Sequence, residues 1–83
     1  MIILGLLDGI DIGDRIVMIR GGGVQYTCAW GDREVDYFRP FLGEWVEVEA
    51  VETADRFPRL VVVGVRRQRP YADQTRLGVV GED

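Results

Sequence analysis

From residue 14 to residue 65, apolar side chains recur at every second position in short runs, and glycine or proline breaks the runs at intervals of roughly ten residues. A helix of ordinary length needs apolar positions three and four apart over ten or more residues, and this spacing denies it. The chain is therefore expected to be all-β, with strands over 2–7, 14–20, 24–30, 33–38, 44–52 and 60–65. Val24-Gln25-Tyr26-Thr27-Cys28-Ala29-Trp30 shows the pattern well, with Val24, Tyr26, Cys28 and Trp30 on one face. In Glu44–Glu52, Val46, Val48 and Ala50 point one way and Glu47 and Glu49 the other. In 33–38 the alternation places Val35 and Tyr37 against Glu34, Asp36 and Phe38. Asp8-Gly9 and Gly21-Gly22-Gly23 read as turns, and Pro40 ends whatever strand precedes it, because proline cannot donate to a ladder.

With 83 residues the chain makes one domain with a thin core. An open sheet of that size would leave two edges unpaired and one face wet, so closure into a barrel is the expected solution. Leu42-Gly43-Glu44-Trp45-Val46-Glu47-Val48-Glu49-Ala50-Val51 resembles the middle strand of OB-fold and SH3-like barrels. The expected fold is a small five- to six-stranded antiparallel barrel, OB-like or SH3-like, over residues 1–69. Residues 70–83 read as a flexible tail, or a short extra strand through Leu77, Val79 and Val80. The resemblance concerns fold alone, and such barrels host many functions.

The chain contains no Ser, His, Lys or Asn. A Ser-His-Asp triad, a P-loop, a histidine metal site and lysine chemistry are thereby excluded. The single Cys28 can form no internal disulfide, and its place on the Val24–Trp30 apolar face makes it a small buried hydrophobe. Asp8, Asp11 and Asp14 lack the alternate-residue spacing and terminal Glu of a calcium loop, so turn chemistry is their expected role. The triple glycine is not followed by a helix whose N-terminus could complete a phosphate cradle, and it reads as a hairpin. No cofactor, no metal and no enzymatic activity are expected. Nothing at the N-terminus reads as a signal peptide and no segment is long enough to span a bilayer, so a cytoplasmic protein without membrane attachment is expected.

The ten positive charges are all Arg, against fourteen acids, for a net charge of −4. Residues 44–55 hold five acids and no base, while 56–69 hold five arginines and no acid. Two neighbouring strands with charges paired across the ladder explain that partition. An acidic chain suits sequence-independent nucleic-acid binding poorly. Eight aromatic residues are too many for so small a barrel to hide, and large exposed apolar patches mark interaction sites. A protein-binding or self-assembling module is the expected function, with docking through a β edge or an aromatic patch. Phe41 and Trp45 are the candidate anchors, Glu47 and Glu49 the charged rim, and Arg39 and Tyr37 further contacts. The alternative is an OB-type single-stranded nucleic-acid binder that stacks bases on rings and holds phosphates with Arg.

Overall fold

The computed structural model describes residues 1–68 and contains five strands: β1 (Ile2–Asp11), β2 (Ile16–Gly21), β3 (Val24–Ala29), β4 (Trp45–Glu52) and β5 (Leu60–Arg67). They close into a barrel in the order β1-β2-β3-β5-β4, with β1 pairing to both β2 and β4. The connection from β3 to β4 carries one turn of α-helix, α1 (Val35–Phe38), and a 3-10 turn (Arg39–Phe41). Of the two expected architectures this is the OB-like one, a five-stranded Greek-key barrel. Four ladders are antiparallel. The closure between β3 and β5 is parallel and only two pairs long, Cys28 with Leu60 and Ala29 with Val61. The expected tail or strand over 70–83 lies outside the described residues.

Alternation delivers the core as expected. Val46, Val48 and Ala50 of β4, Val17 and Ile19 of β2, and Cys28 of β3 are fully buried, and Ile3, Leu7, Trp30, Phe38 and Val62 complete the cluster. Gly22 and Gly23 adopt φ of 62° and 79°, the positive values a two-residue hairpin turn demands. Gly21 is required for a different reason, since a Cβ there would collide with the Leu4 carbonyl where β1 crosses the hairpin.

Two expectations are corrected. Asp8-Gly9 is not a turn: β1 runs on to Asp11 through a bulge between Leu7 and Gly9, and the reversal falls at Ile12–Arg15. The bulge lets β1 bend from β4 onto β2, and Asp8 accepts a 2.7 Å hydrogen bond from Arg20. The segment 33–38 is not a strand. Val35, Phe38 and Phe41 follow a three-residue spacing, and it is this face that packs on the core, with Phe38 fully buried. In so short a stretch two periods fit the same residues, and burial of Phe38 beside Trp30, with ring centroids 5.7 Å apart, decides for the helical one.

That segment covers the side of the barrel that the short β3–β5 ladder leaves open. The Tyr37 hydroxyl accepts from the Val65 N–H at 2.8 Å and donates to the Val65 carbonyl at 3.3 Å. Arg33 donates to the Val63 carbonyl at 2.8 Å. The β5 edge is thus occupied by side chains instead of a strand, which removes a site of edge-to-edge association.

Candidate functional site

The outer face of β1 and β4 does not follow the rule that a solvated strand face is polar. β1 is apolar on both sides: Ile3 and Leu7 point inward, while Ile2 and Leu4 stand 55% and 52% exposed on the outside. Leu6 continues the outer row and pairs directly with Trp45 of β4, whose ring is 59% exposed. Ile2 and Leu4 pair with Glu49 and Glu47. A strip of aliphatic side chains therefore runs along β1, ends at Trp45 and is bordered by two carboxylates. At about 150–250 Å² for a whole large side chain, the strip exposes roughly 400 Å² of apolar surface. That matches the largest patch a typical monomer tolerates and is about half of one partner's share in a standard interface.

The charge partition between β4 and β5 resolves as the ladder pairing foreseen. Glu47 stands opposite Arg66 and accepts a 2.6 Å hydrogen bond from it, and Glu44 lies 3.7 Å from Arg67. That hydrogen bond and the carboxylate charge push the Arg66 pKa above its ordinary value. Glu49 has no ion pair among the described residues. Its neighbour across the ladder is Gly64, which lies at the floor of an open dent of about 340 Å³ lined by Ile2, Glu47, Glu49 and Arg66 and reaching Tyr37.

The six site residues named from the sequence do not converge. Trp45, Glu47 and Glu49 share the outer face of β4. Phe41 is half-buried under the Arg67 guanidinium, 5.2 Å from its ring centroid, and packs on Tyr37 at 6.0 Å. Tyr37 is held between Arg33, Phe38 and the β5 edge. Arg39 points to solvent and pairs with Asp36 at 3.3 Å.

Sequence reasoning missed two features. The first is the outward row Ile2, Leu4 and Leu6, whose signal was an apolar run without alternation. The second is Phe57 in the β4–β5 loop, 91% exposed between Arg56 and Arg59. Every other arginine among the described residues has an acceptor: Arg15 with Glu34, Arg20 with Asp8, Arg33 with Val63, Arg39 with Asp36, Arg66 with Glu47, Arg67 with Pro40. Arg56 and Arg59 have none. The base of their loop is clamped, since the Arg59 carbonyl accepts from the Thr53 N–H at 2.7 Å and from its hydroxyl at 3.3 Å.

Little in the remaining surface organises chemistry. Burial pushes the Cys28 thiol up to about 11, so it is protonated and unreactive at neutral pH. Asp11 accepts from the Asp14 N–H at 3.1 Å, the local turn bond expected of those aspartates. Among the described residues no three His, Cys, Asp or Glu side chains are grouped as metal ligands. A groove of about 750 Å³ beside the Gly31–Arg33 turn mixes Asp32, Asp55 and Arg56 with Val51, Val61 and Val63, and it is broad and open. No described helix is long and apolar enough to cross a membrane. No family model matches the chain, and no curated protein or solved structure is significantly similar to it.

Proposed function

We propose that this chain is a small protein-binding barrel without catalytic activity of its own, working in the cytoplasm and docking through the outer face of β1 and β4. The strip Ile2, Leu4, Leu6 and Trp45 is the observation that carries the reading. A strand face that gained nothing from a partner would be polar, because an antiparallel sheet solvated on one side alternates. Trp45 is the anchor, and Glu47 and Glu49 form the rim that selects orientation. A strip of this size supports a modest interface, in keeping with a transient or self-assembling module. Leu4→Arg places a charge at the middle of the strip without touching the core. Sedimentation of the whole chain and affinity capture should both respond: the variant loses the associated species or the captured partner that the parent shows. If Leu4→Arg and Trp45→Ala leave both measurements unchanged, the reading is wrong.

The alternative, single-stranded nucleic-acid binding, draws support from Arg56, Phe57 and Arg59, since the β4–β5 loop is one of those with which OB barrels grip oligonucleotides. Against it, the outward positions of β2 and β3 are Ile16, Met18, Arg20, Gln25, Thr27 and Ala29, with no ring on which a base could stack. Anisotropy of a labelled oligonucleotide titrated at two salt concentrations separates the readings, because phosphate-driven binding falls steeply with salt.

A further inference from the structure

We infer that the partner is a second copy of this chain, and that the contact is head to tail: Phe57 of one copy enters the dent at Gly64 of the next, with Arg56 and Arg59 meeting Glu49 and Glu47. The inference rests on the protein-binding reading above and assigns it an occupant. Three observations carry it. Phe57 is the most exposed large apolar side chain among the described residues at 91%, and the Thr53–Arg59 clamp fixes the loop that presents it. The clamp at the loop's base lowers the backbone entropy lost when the ring docks, while the exposed ring's own rotamer freedom is still lost. The dent at Gly64 is an open recess of about 340 Å³, wide enough to receive one face of an aromatic ring. It is lined by the aliphatic Ile2, by Tyr37, and by the charged Glu47, Glu49 and Arg66.

Charge makes the match specific. Among the described arginines only Arg56 and Arg59 lack an acceptor, and they flank the ring. Glu49, at the lip of the dent, has no ion pair among the described residues, though its charge acts on nearby Arg66, and Glu47 is already held by Arg66. An exposed ring flanked by Arg56 and Arg59, with Asp55 alongside, and a dent lined by Ile2 and lipped by Glu49 are surfaces of one chain that can meet ring to recess and cation to carboxylate. Plug and socket are different surfaces, so the contact is heterologous: copies add in series, closing into a ring where the rotation permits.

The two halves can be disabled separately. Phe57→Ala removes the plug at an exposed loop position. Gly64→Val fills the socket from within: a Cβ at Gly64 meets nothing nearer than the Tyr37 hydroxyl at 3.8 Å, and a β-branched residue suits a strand. Sedimentation velocity of the full chain across a concentration series is the measurement, with circular dichroism confirming that both variants melt like the parent. The parent should grow in mass with concentration. Each variant alone should be monomeric, its self-association weakened at least about thirtyfold, as for a central aromatic anchor. An equimolar mixture of the two should form a one-to-one dimer that grows no further, because it contains one working plug and one working socket. A parent that stays monomeric, or a mixture that does, overturns the proposal. So does self-association that survives Phe57→Ala and Gly64→Val but is ended by Leu4→Arg. That last pattern leaves the protein-binding reading standing on the β1 strip and rejects the head-to-tail contact. An oligonucleotide that binds through Phe57 while the parent remains monomeric overturns both.

Discussion

Tyr37→Phe isolates one hydroxyl and asks whether it belongs to a binding surface or to the fold. The ring's environment is unchanged by the substitution: Arg33 stays stacked at 4.3 Å, Phe38 at 5.2 Å and Phe41 at 6.0 Å. What is lost is the acceptor of the Val65 N–H at 2.8 Å and the donor to the Val65 carbonyl at 3.3 Å. Both groups sit on the side of β5 that no strand covers among the described residues, and both are partly buried. Leaving a buried backbone donor without a partner costs about 1–3 kcal/mol. Partial exposure places this case near 1.5 kcal/mol, which in a domain of this length lowers Tm by about 6–12 °C. Thermal melts by circular dichroism read the global effect, and amide hydrogen exchange at Val65 reads the local one, which should quicken ahead of the core amides. Arg39→Ala serves as the control, since its exposed pair with Asp36 is worth less than about 1 kcal/mol. A Tyr37→Phe protein that melts with the parent and protects the Val65 amide equally would show that the hydroxyl does not hold the edge.

Two further outcomes test the barrel itself. Val48→Asp buries a carboxylate among Ile3, Val46 and Val65 and should abolish the cooperative transition, whereas Glu49→Lys on the opposite face should melt within about 0.5 kcal/mol of the parent; equal proteolytic sensitivity of the two would refute the register. Cys28 should resist maleimide at pH 7 until the chain is unfolded. Its thiol pKa is raised by burial from 9.0 to about 11, so this contribution to stability is intact below pH 9.0 and lost as pH rises toward about 11. Cys28→Val should flatten that alkaline loss, and urea titrations at pH 8 and pH 10.5 would detect it.

The strands of β2, β3 and β4 were legible because each is buried on one face only, and alternation reports one-sided burial. The β4–β5 pairing was legible in the charges, since Glu47 and Arg66 must face one another to be satisfied. β1 hid its full length for a physical reason: a bulge adds one residue, shifts the alternation by one, and makes Asp8-Gly9 look like a stop. The segment 33–41 hid its helix because a single turn is too short for period to decide. The ring of Phe38 goes inside because Trp30 and the open end of the barrel need filling, which is a tertiary fact absent from local sequence. The site was half visible. Trp45 and Glu49 follow from alternation, while Phe41 and Tyr37 carry the same composition signal and are consumed by packing.

Closure also decides how a partner can be met. The sequence admitted docking through a β edge; β2 and β4 have a strand on both sides and Tyr37 and Arg33 occupy the open side of β5, while β1 pairs β4 over Ile2–Leu6 and β2 over Leu6–Asp11, so each half of β1 has one side without a strand. Among the described residues β3 over Val24–Thr27 is a further edge, where pairing with β5 has not yet begun. The two-residue turn makes Gly21 and Val24 a hydrogen-bonded pair, so by alternation Tyr26 and Cys28 also bond to β2 and Gln25 turns its backbone groups away. One residue's worth of free backbone cannot template an added strand. Side chains that stand off the barrel wall offer the other route to recognition. Apolar side chains do so at the β1–Trp45 strip and the Phe57 loop, and also at Ile12, Val24, Leu42, Val51 and Val63; the first lies beside Glu49 and the second between Arg56 and Arg59, none of which has an ion pair among the described residues. Among the described residues Asp11, Asp14, Asp32, Glu52 and Asp55 also stand outside ion pairs, so a self-assembling contact would draw on the local match of Glu49 to Arg56 and Arg59 and not on a global polarity of the surface.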